Sequence, residues 1–206
     1  MMIDRLLGAL PKHKTCINTI ANPHLYIVDW KGVQNGKEGN VEISSTKTEG
    51  ISSVHLNNPE NITVTFDGFP ESGLPIKKGY YSKQCECIIF PFNCDTEEWV
   101  LFIETKYTNN LEAAMRKESN YPYCMIKQIK ETVRYFRNKG IISPDKTVHA
   151  IASFPNLIDD FNSWMFPITN EEGKPEGILD ILFNDKIIIK GTNEAKIINS
   201  KAITLL

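Results

Sequence analysis

The chain has 206 residues, of which 41% are hydrophobic and 23% are charged, and its formal net charge is -2. These values are close to the average of globular proteins, so they exclude a collagen-like repeat, a coiled coil and a wholly disordered chain. No apolar run reaches the roughly 20 residues that a bilayer requires, and no signal-peptide core follows the first residues. We therefore expect one soluble, cytoplasmic domain over residues 1–206, with no membrane partner.

The cysteine count and the charge balance bear on two further properties, the redox state of the thiols and the mode of nucleic-acid binding. Five cysteines is an odd count, and a chain of this size needs no disulfide staples, so reduced thiols are expected. A zinc site built from Cys85, Cys87, Cys94 and His149 is a weaker alternative, because the chain has no CxxC pair. The 23 basic and 25 acidic residues nearly balance, which argues against nucleic-acid binding by bulk charge but allows a local phosphate-facing cleft.

The predicted elements, taken in chain order, favour a mixed sheet. A short helix is expected at 3–10, followed by a loop-rich stretch with some short strands that includes 31–61. The next elements are strands at 61–66, 84–90 and 99–107, a helix at 122–139 and a strand at 148–154. This order predicts an α/β fold, of mixed α+β type, in which a helix packs on a central mixed sheet. The segment 177–199 is expected to add further strands at the C-terminal end.

The segment 91–98 consists largely of turn-forming residues and predicts a hairpin between the two strands that flank it. A hairpin centred on Asp95 places Glu86 directly across from Glu104, where Cβ atoms are about 4.5–5.5 Å apart and like charges are destabilising. Lys106 projects to the same side as Glu104, because side chains alternate along a strand. Two carboxylates at this separation suit one hard divalent cation, and the adjacent lysine suits an attacking water or a phosphate. The pattern therefore predicts a phosphodiester-hydrolysis site.

An acid on one strand of a hairpin, Glu-x-Lys at the end of the next strand, and a glutamine on the following helix resemble the PD-(D/E)xK nuclease superfamily, which has the restriction-endonuclease-like fold. The matching pieces are Glu86, the triplet Glu104-Thr105-Lys106, and Gln128. The resemblance covers roughly residues 61–154, a nuclease-like core, and it implies an αβββαβ arrangement. The first acid is Glu86, where an aspartate is more usual in this superfamily.

The same resemblance implies roles for these residues. Glu86, Glu104 and the backbone carbonyl of Thr105 would bind Mg²⁺ or Mn²⁺. Lys106 would assist the attacking water, and Gln128 would support the site from the helix. The implied activity is hydrolysis of DNA phosphodiester bonds by a metal-activated water, with RNA not excluded as a substrate and a homodimer or larger complex as an open alternative.

Three features are left open by the residues. Many members carry a further acid on a helix before the sheet, for which Glu42, Glu49 and Glu60 are equal candidates. Two other Glu-x-Lys triplets occur, at 172–174 and 194–196, and the second is a rival site if Asp180 or Asp185 is its partner acid. A catalytically inactive subunit that acts as a binding or assembly module, and a small antitoxin-like or immunity protein, are the non-enzymatic alternatives.

Candidate phosphate contacts fall in two places. Arg116 and Lys117 follow the proposed site, and a basic stripe with spacings of 3, 4 and 3 runs along the predicted helix. The stripe consists of Lys127, Lys130, Arg134 and Arg137. At 100° per residue the stripe and Gln128 lie on opposite sides of the apolar face, so a solvated flank is the competing interpretation.

Overall fold

The computed structural model describes residues 1–34, 38–116, 120–157, 160–170 and 172–206, over which the chain is a mixed α/β protein with mixed sheets. The helices are α1 (Met2–Ala9), a 3₁₀ helix (Pro11–Thr15), α2 (Trp30–Val33), α3 (Leu111–Met115), α4 (Tyr121–Asn138), α5 (Asn162–Met165) and α6 (Ile178–Asp185). The strands are β1 (Ile17–Ile20), β2 (His24–Asp29), β3 (Val41–Ser44), β4 (Val54–Asn57), β5 (Val64–Gly68), β6 (Pro75–Lys77), β7 (Tyr80–Tyr81), β8 (Cys87–Pro91), β9 (Leu101–Thr105), β10 (Val148–Ser153), β11 (Ile168–Thr169), β12 (Pro175–Glu176), β13 (Ile187–Gly191), β14 (Glu194–Asn199) and β15 (Ala202–Leu205). Among these, no helix is both long enough and apolar enough to cross a bilayer.

A six-stranded sheet in the order β1-β5-β8-β9-β10-β13 forms the centre of the molecule. Strands β5, β8 and β9 are successive antiparallel neighbours, whereas β10 lies parallel to β9 after a crossover that contains α4. Parallel neighbours need such a long connection, since the chain has to return to the same end of the sheet. The predicted order of strand, strand, strand, helix and strand in one mixed sheet is therefore confirmed.

The hairpin of β8 and β9 has the register expected for a turn centred on Asp95. Cys87 pairs with Ile103 and Ile89 pairs with Leu101. The regular alternation of side chains breaks just before β8, where the Glu86 N–H donates to the Ile103 carbonyl at 3.0 Å. This irregularity at the strand end places Glu86 beside the end of β9, next to the Glu-x-Lys triplet.

Two hydrophobic cores lie on opposite faces of the central sheet. On one face, α1 and α4 pack against apolar side chains of β8, β9, β10 and β13. On the other face, the five-stranded sheet β15-β14-β4-β2-β3 packs against the central sheet. The predicted helix is α4, and its buried side chains include the apolar residues at spacings of 3, 4 and 3, which are Ile126, Ile129, Val133 and Phe136. The site described below lies at the sheet edge where α4 begins.

The segment 177–199 differs from its prediction in the first half. Residues Ile178–Asp185 form α6, not a strand, and the strands β13 and β14 follow it. The Gly177 N–H donates to the Asp180 carboxylate at 2.8 Å, which satisfies a backbone group at the start of the helix. A short apolar run of isoleucine, leucine and phenylalanine has no periodicity that separates a helix from a strand. The helix was therefore missed.

Candidate active site

The carboxylates of Glu86 and Glu104 meet at the ammonium group of Lys106. Lys106 Nζ donates a hydrogen bond to Glu104 Oε1 at 2.5 Å and lies 3.7 Å from Glu86 Oε1. The two carboxylate oxygens are therefore no further apart than these two distances together. The hairpin, together with the irregularity before β8, thus brings the two predicted metal ligands and the predicted catalytic lysine to one point.

Glu104 is a fully buried carboxylate with one unused oxygen. Its side chain is 0% exposed, Oε1 binds Lys106, and Oε2 has no hydrogen-bond partner among the described residues. Burial raises the pKa of Glu104 well above its ordinary value, the charge of Lys106 lowers it, and the charge of Glu86 raises it again. A buried carboxylate oxygen without a donor is costly, so the position favours an additional positive partner.

Glu86 and Lys106 are partly buried and electrostatically linked. Burial raises the pKa of Glu86 to about 7, although Lys106 lowers it. Burial alone would lower the pKa of Lys106, but the charges of Glu104 and Glu86 outweigh it and raise this pKa above its ordinary value. Lys106 is therefore a persistent cation, whereas Glu86 titrates near neutral pH.

Asp29 is a third acid at this site, and sequence reasoning missed it. It ends β2 in the outer sheet, is buried, and caps α2 by accepting a hydrogen bond from Gly32 N at 3.0 Å. Asp29 lines the same cleft as Glu86, and its negative charge raises the pKa of both Glu86 and Glu104. The only local signal is an acid directly after a strand-like apolar run, which is common in proteins.

Glu42, Glu49 and Glu60 were the candidates for a further acid that precedes the sheet, and none of them lines the cleft. Glu42 accepts a hydrogen bond from Trp30 Nε1 at 2.8 Å, and Glu49 and Glu60 are exposed. These acids belong to the outer sheet and its loops. No local sequence pattern predicts where that sheet lies relative to the β8–β9 hairpin.

The helix α4 holds the residues that precede Glu86. The side chain of Gln128 donates to the Gln84 carbonyl at 2.7 Å, and the hydroxyl of Thr132 accepts a hydrogen bond from Cys85 N at 2.9 Å. Gln128 also lines the cleft. Its contact is thus with the backbone beside the acid, which is a positioning contact.

Thr105 lies between Glu104 and Lys106 at the end of β9, and it also lines the cleft. It pairs with Ser153 of β10, whose carbonyl accepts a hydrogen bond from Lys106 N at 3.0 Å. The parallel neighbour β10 therefore holds the backbone of the triplet on the side away from β8. A role for the Thr105 carbonyl as a ligand stays a prediction.

The cleft itself has a volume of about 1140 Å³ and lies between the ends of β8 and β9, the start of α4 and the α2 region. Such a volume accommodates a ligand of the size of a nucleotide or larger. Its polar lining includes acids and lysines in similar number, which are Asp29, Glu38, Glu71, Glu86, Lys31, Lys83 and Lys106. Aromatic side chains, among them Tyr81 and Tyr121, contribute the apolar surface.

The predicted phosphate contacts on α4 are engaged with other groups. Lys130 forms ion pairs with Glu176 at 2.8 Å and Asp185 at 2.9 Å, and Arg134 pairs with Glu131 at 2.8 Å. These pairs argue against a phosphate track along α4. Arg134 is exposed, as a solvated flank requires, whereas Lys130 is only 20% exposed between its two acids.

The remaining basic candidates lie elsewhere. Lys127 Nζ lies 5.7 Å from the centre of the Tyr123 ring, and Arg137 donates to the Asp185 carbonyl at 2.7 Å. Arg116 is exposed just after α3, and Lys117 lies outside the described residues. None of the five described candidates among these six lines the cleft.

Within the described part of the chain, the two other Glu-x-Lys triplets, at 172–174 and 194–196, do not form a site with a partner acid. Glu194 lies on β14 in the outer sheet and is 3.8 Å from a nitrogen of His55, whereas Asp180 caps α6 and Asp185 pairs with Lys130. Glu172 forms an exposed ion pair with Lys174, the lysine of its own triplet.

The zinc alternative is wrong for a similar reason. Cys85 packs in the core beneath α4, and Cys87 packs in the core between the two sheets, so their thiols lie on opposite faces. Over the part of the chain that the structure describes, no group of three or more histidine, cysteine, aspartate or glutamate side chains is arranged to hold a metal ion. The candidate site offers two carboxylates, which is a common protein contribution to Mg²⁺.

Comparisons with models of protein families, with curated proteins and with solved structures found no significant match to the chain.

Proposed function

We propose that this chain is a metal-dependent nuclease that hydrolyses phosphodiester bonds of DNA in the cleft around Glu86, Glu104 and Lys106. The observation that carries the proposal is the buried Glu104 carboxylate, which has one oxygen on Lys106 and the other without a partner, beside a second carboxylate. The order of α1 and the strands around α4 supports a restriction-endonuclease-like αβββαβ core as the finer description of the fold.

The residues fit a hard divalent cation. Mg²⁺ in phosphate-processing sites is usually held by one or two carboxylates together with waters and phosphate oxygens. Glu86, Glu104 and the carbonyl of Thr105 would hold Mg²⁺ or Mn²⁺, and the free Oε2 of Glu104 is the atom that most needs such a partner. When bound, the ion would supply Lewis-acid stabilisation of negative charge on the phosphate and would acidify a water.

The chain's own residues supply three further contributions. Lys106 remains charged because two carboxylates raise its pKa, so it places a hydrogen-bond donor and a positive charge against a phosphate. Burial raises the pKa of Glu86 to about 7 without a metal ion, so binding of the cation would release a proton from this carboxylate near neutral pH. Gln128 holds the backbone at Gln84 and thereby positions Glu86.

The direct test is cleavage by purified protein of single- and double-stranded DNA and RNA with Mg²⁺ or Mn²⁺. We expect the wild type to cleave, Glu104→Ala to be inactive, and Glu194→Ala to retain activity. The last variant is a matched control, since it removes the acid of another Glu-x-Lys triplet outside the cleft. Equal cleavage by the wild type and Glu104→Ala would identify a contaminating nuclease and overturn the proposal.

One observation favours a second function, a catalytically inactive module that uses the same fold for binding or assembly. Lys106 contacts both carboxylates and compensates part of their charge without a metal ion. Calorimetric titration with Mn²⁺ separates the two functions. Specific binding that is lost in Glu86→Ala supports the nuclease, whereas the absence of binding supports the module.

A further inference from the structure

A short exposed hairpin of strands β6 and β7 borders the cleft. Residues 75–83 have the sequence PIKKGYYSK, which holds three lysines and two tyrosines and no acidic residue. The residues Tyr80 and Tyr81 are 62% and 50% exposed, although large aromatic side chains are usually at least partly covered. The hairpin therefore presents aromatic faces and positive charge to solvent together.

The lysines of this hairpin are not paired with acidic side chains among the described residues. Lys77, Lys78 and Lys83 are exposed, and over the described residues none of them has a carboxylate within ion-pair distance. Lys77 Nζ lies 4.5 Å from the centre of the Tyr80 ring, which combines a cation with an aromatic surface. In contrast, Lys130 and Arg134 on α4 are paired with acids.

The hairpin is attached firmly to the site. The hydroxyl of Tyr135 on α4 donates to the Pro75 carbonyl at 2.9 Å. At the other end, the Gln84 side chain donates to the Pro70 carbonyl at 2.8 Å and accepts from Gly73 N at 2.9 Å. The chain then continues from the hairpin through Gln84 directly to Glu86, and Tyr81 and Lys83 line the cleft.

We propose that this hairpin binds single-stranded nucleic acid and leads an unpaired strand into the cleft. Exposed aromatic rings stack on unpaired bases, and lysines of the same hairpin contact the phosphates. In a duplex the base faces already stack on one another, so the two tyrosines gain little from duplex binding. Delivery of the strand for cleavage rests on the proposed nuclease function, whereas binding to the hairpin is a separate property with its own measurement.

The charge balance of the cleft explains why an aromatic and basic hairpin beside it is useful. Four acids and three lysines line the cleft, and the chain as a whole has a net charge of -2. Bulk electrostatic attraction therefore does not bring a polyanion to the site. A local group of lysines at the entrance supplies this attraction where it is needed, and stacking adds binding free energy that does not depend on net charge.

The test measures binding without cleavage. A fluorescein-labelled oligothymidylate and a labelled duplex of the same length are titrated by fluorescence anisotropy in EDTA, at several salt concentrations. Four variants are compared with the wild type: Tyr80→Ala with Tyr81→Ala, the triple change of Lys77, Lys78 and Lys83 to Ala, Trp164→Ala, and Glu104→Ala. Trp164 is an exposed aromatic residue on α5 that does not line the cleft, so it is the matched stacking control.

We expect tighter binding of the single strand than of the duplex. Loss of both tyrosines should weaken single-strand binding at least about fivefold, because stacking contributes roughly 1–3 kcal/mol per base and 1.4 kcal/mol is a factor of ten. Loss of the three lysines should reduce the slope of log K against log salt by about 2, since each single-strand phosphate contact contributes about 0.7. Trp164→Ala should bind like the wild type.

Two results would overturn the inference: wild-type affinity in the double tyrosine variant, or equal affinity for the duplex. The four variants alter exposed side chains or the proposed active site, and equal thermal midpoints verify that the exposed variants fold. The two proposals fail separately. If the wild type cleaves but binding does not depend on the hairpin, only the hairpin inference is overturned. If binding depends on the hairpin and is retained by Glu104→Ala, but no form of the protein cleaves, only the nuclease proposal is overturned.

Discussion

Glu104 and Lys106 lie two residues apart at the end of β9, with Lys106 just beyond the strand, and share a hydrogen bond of 2.5 Å, while the second oxygen of Glu104 has no partner among the described residues. Lys106 is thus an internal counter-ion for an acid that is completely buried. A buried ion pair of this kind is seldom retained for stability alone, because desolvation offsets much of its Coulomb energy. The pair is better explained by a function that needs both charges at the cleft.

Metal binding should be visible as thermal stabilisation. We expect Mn²⁺ to raise the unfolding temperature of the wild type, because a ligand that binds only the folded state at 100 times its Kd adds about 2.7 kcal/mol. Glu86→Gln and Glu104→Gln should lose most of this shift in differential scanning fluorimetry. Glu172→Gln is the control, since Glu172 belongs to an exposed Glu-x-Lys triplet. An undiminished shift in Glu104→Gln would contradict the assignment of the ligands.

Stability in EDTA should fall as the pH rises from about 4.5 to about 7. Burial raises the pKa of Glu86 from 4.5 to about 7 in the folded state. An acid with a raised folded pKa stabilises the folded state fully below its unfolded pKa, and this contribution disappears as the pH rises through the folded pKa. Burial also raises the pKa of Glu104, which acts in the same direction.

The size of this effect follows from the linkage between pKa and stability. At 1.36 kcal/mol per pKa unit, Glu86 contributes up to about 3 kcal/mol over this window. Urea unfolding of the wild type and Glu86→Gln between pH 4.5 and 8 measures it, and the variant should show a flatter profile. A variant with the same pH dependence as the wild type would show that Glu86 titrates normally.

The contact between α4 and the strand before Glu86 predicts a cost for Thr132→Val. The Thr132 hydroxyl is fully buried, accepts from Cys85 N at 2.9 Å and donates to the Gln128 carbonyl at 2.8 Å. Valine has nearly the same shape but leaves the Cys85 N–H unsatisfied, which costs about 1–3 kcal/mol. Urea unfolding should show this loss, and activity should fall because the backbone beside Glu86 is less firmly held. Thr15→Val, at an exposed threonine, should change stability by less than about 0.5 kcal/mol.

A close approach at Gly32 predicts that this position tolerates no side chain. A Cβ at Gly32 would overlap the Asp29 carboxylate and come within 2.6 Å of the Tyr107 ring. Gly32→Ala should therefore destabilise the protein by about 1–3 kcal/mol, displace Asp29 and reduce the Mn²⁺-dependent thermal shift. Gly8→Ala in α1 is the matched control, since nothing lies within 4 Å of its Cβ, and it should be neutral or stabilising. Equal thermal midpoints and Mn²⁺ shifts for Gly32→Ala and the wild type would show that this packing is not required.

The hairpin of the site was predictable, whereas its surroundings were not. A turn segment sets the register of the strands that it connects, so residues 91–98 predicted the register in which Cys87 pairs with Ile103, whereas the irregularity before β8 that places Glu86 beside the end of β9 was not predicted. The same reasoning failed at 178–185, where an apolar run without a clear period folds as α6. It also failed for the third acid, because Asp29 approaches the cleft from the outer sheet.

By itself, the sequence determined the order of the core elements, the register of the β8–β9 hairpin and the shared side of Glu104 and Lys106, because each depends on residues close together along the chain. Only the tertiary structure decided that Glu104 is completely buried and that Asp29 lines the cleft. It also decided that Lys130 pairs with acids and that the β6–β7 hairpin lies beside the cleft. These properties depend on packing between distant segments, and neither burial nor the choice of counter-ion has a local pattern. Residues close together along the chain therefore supply the functional groups of the site, whereas the surrounding fold sets the protonation of its carboxylates.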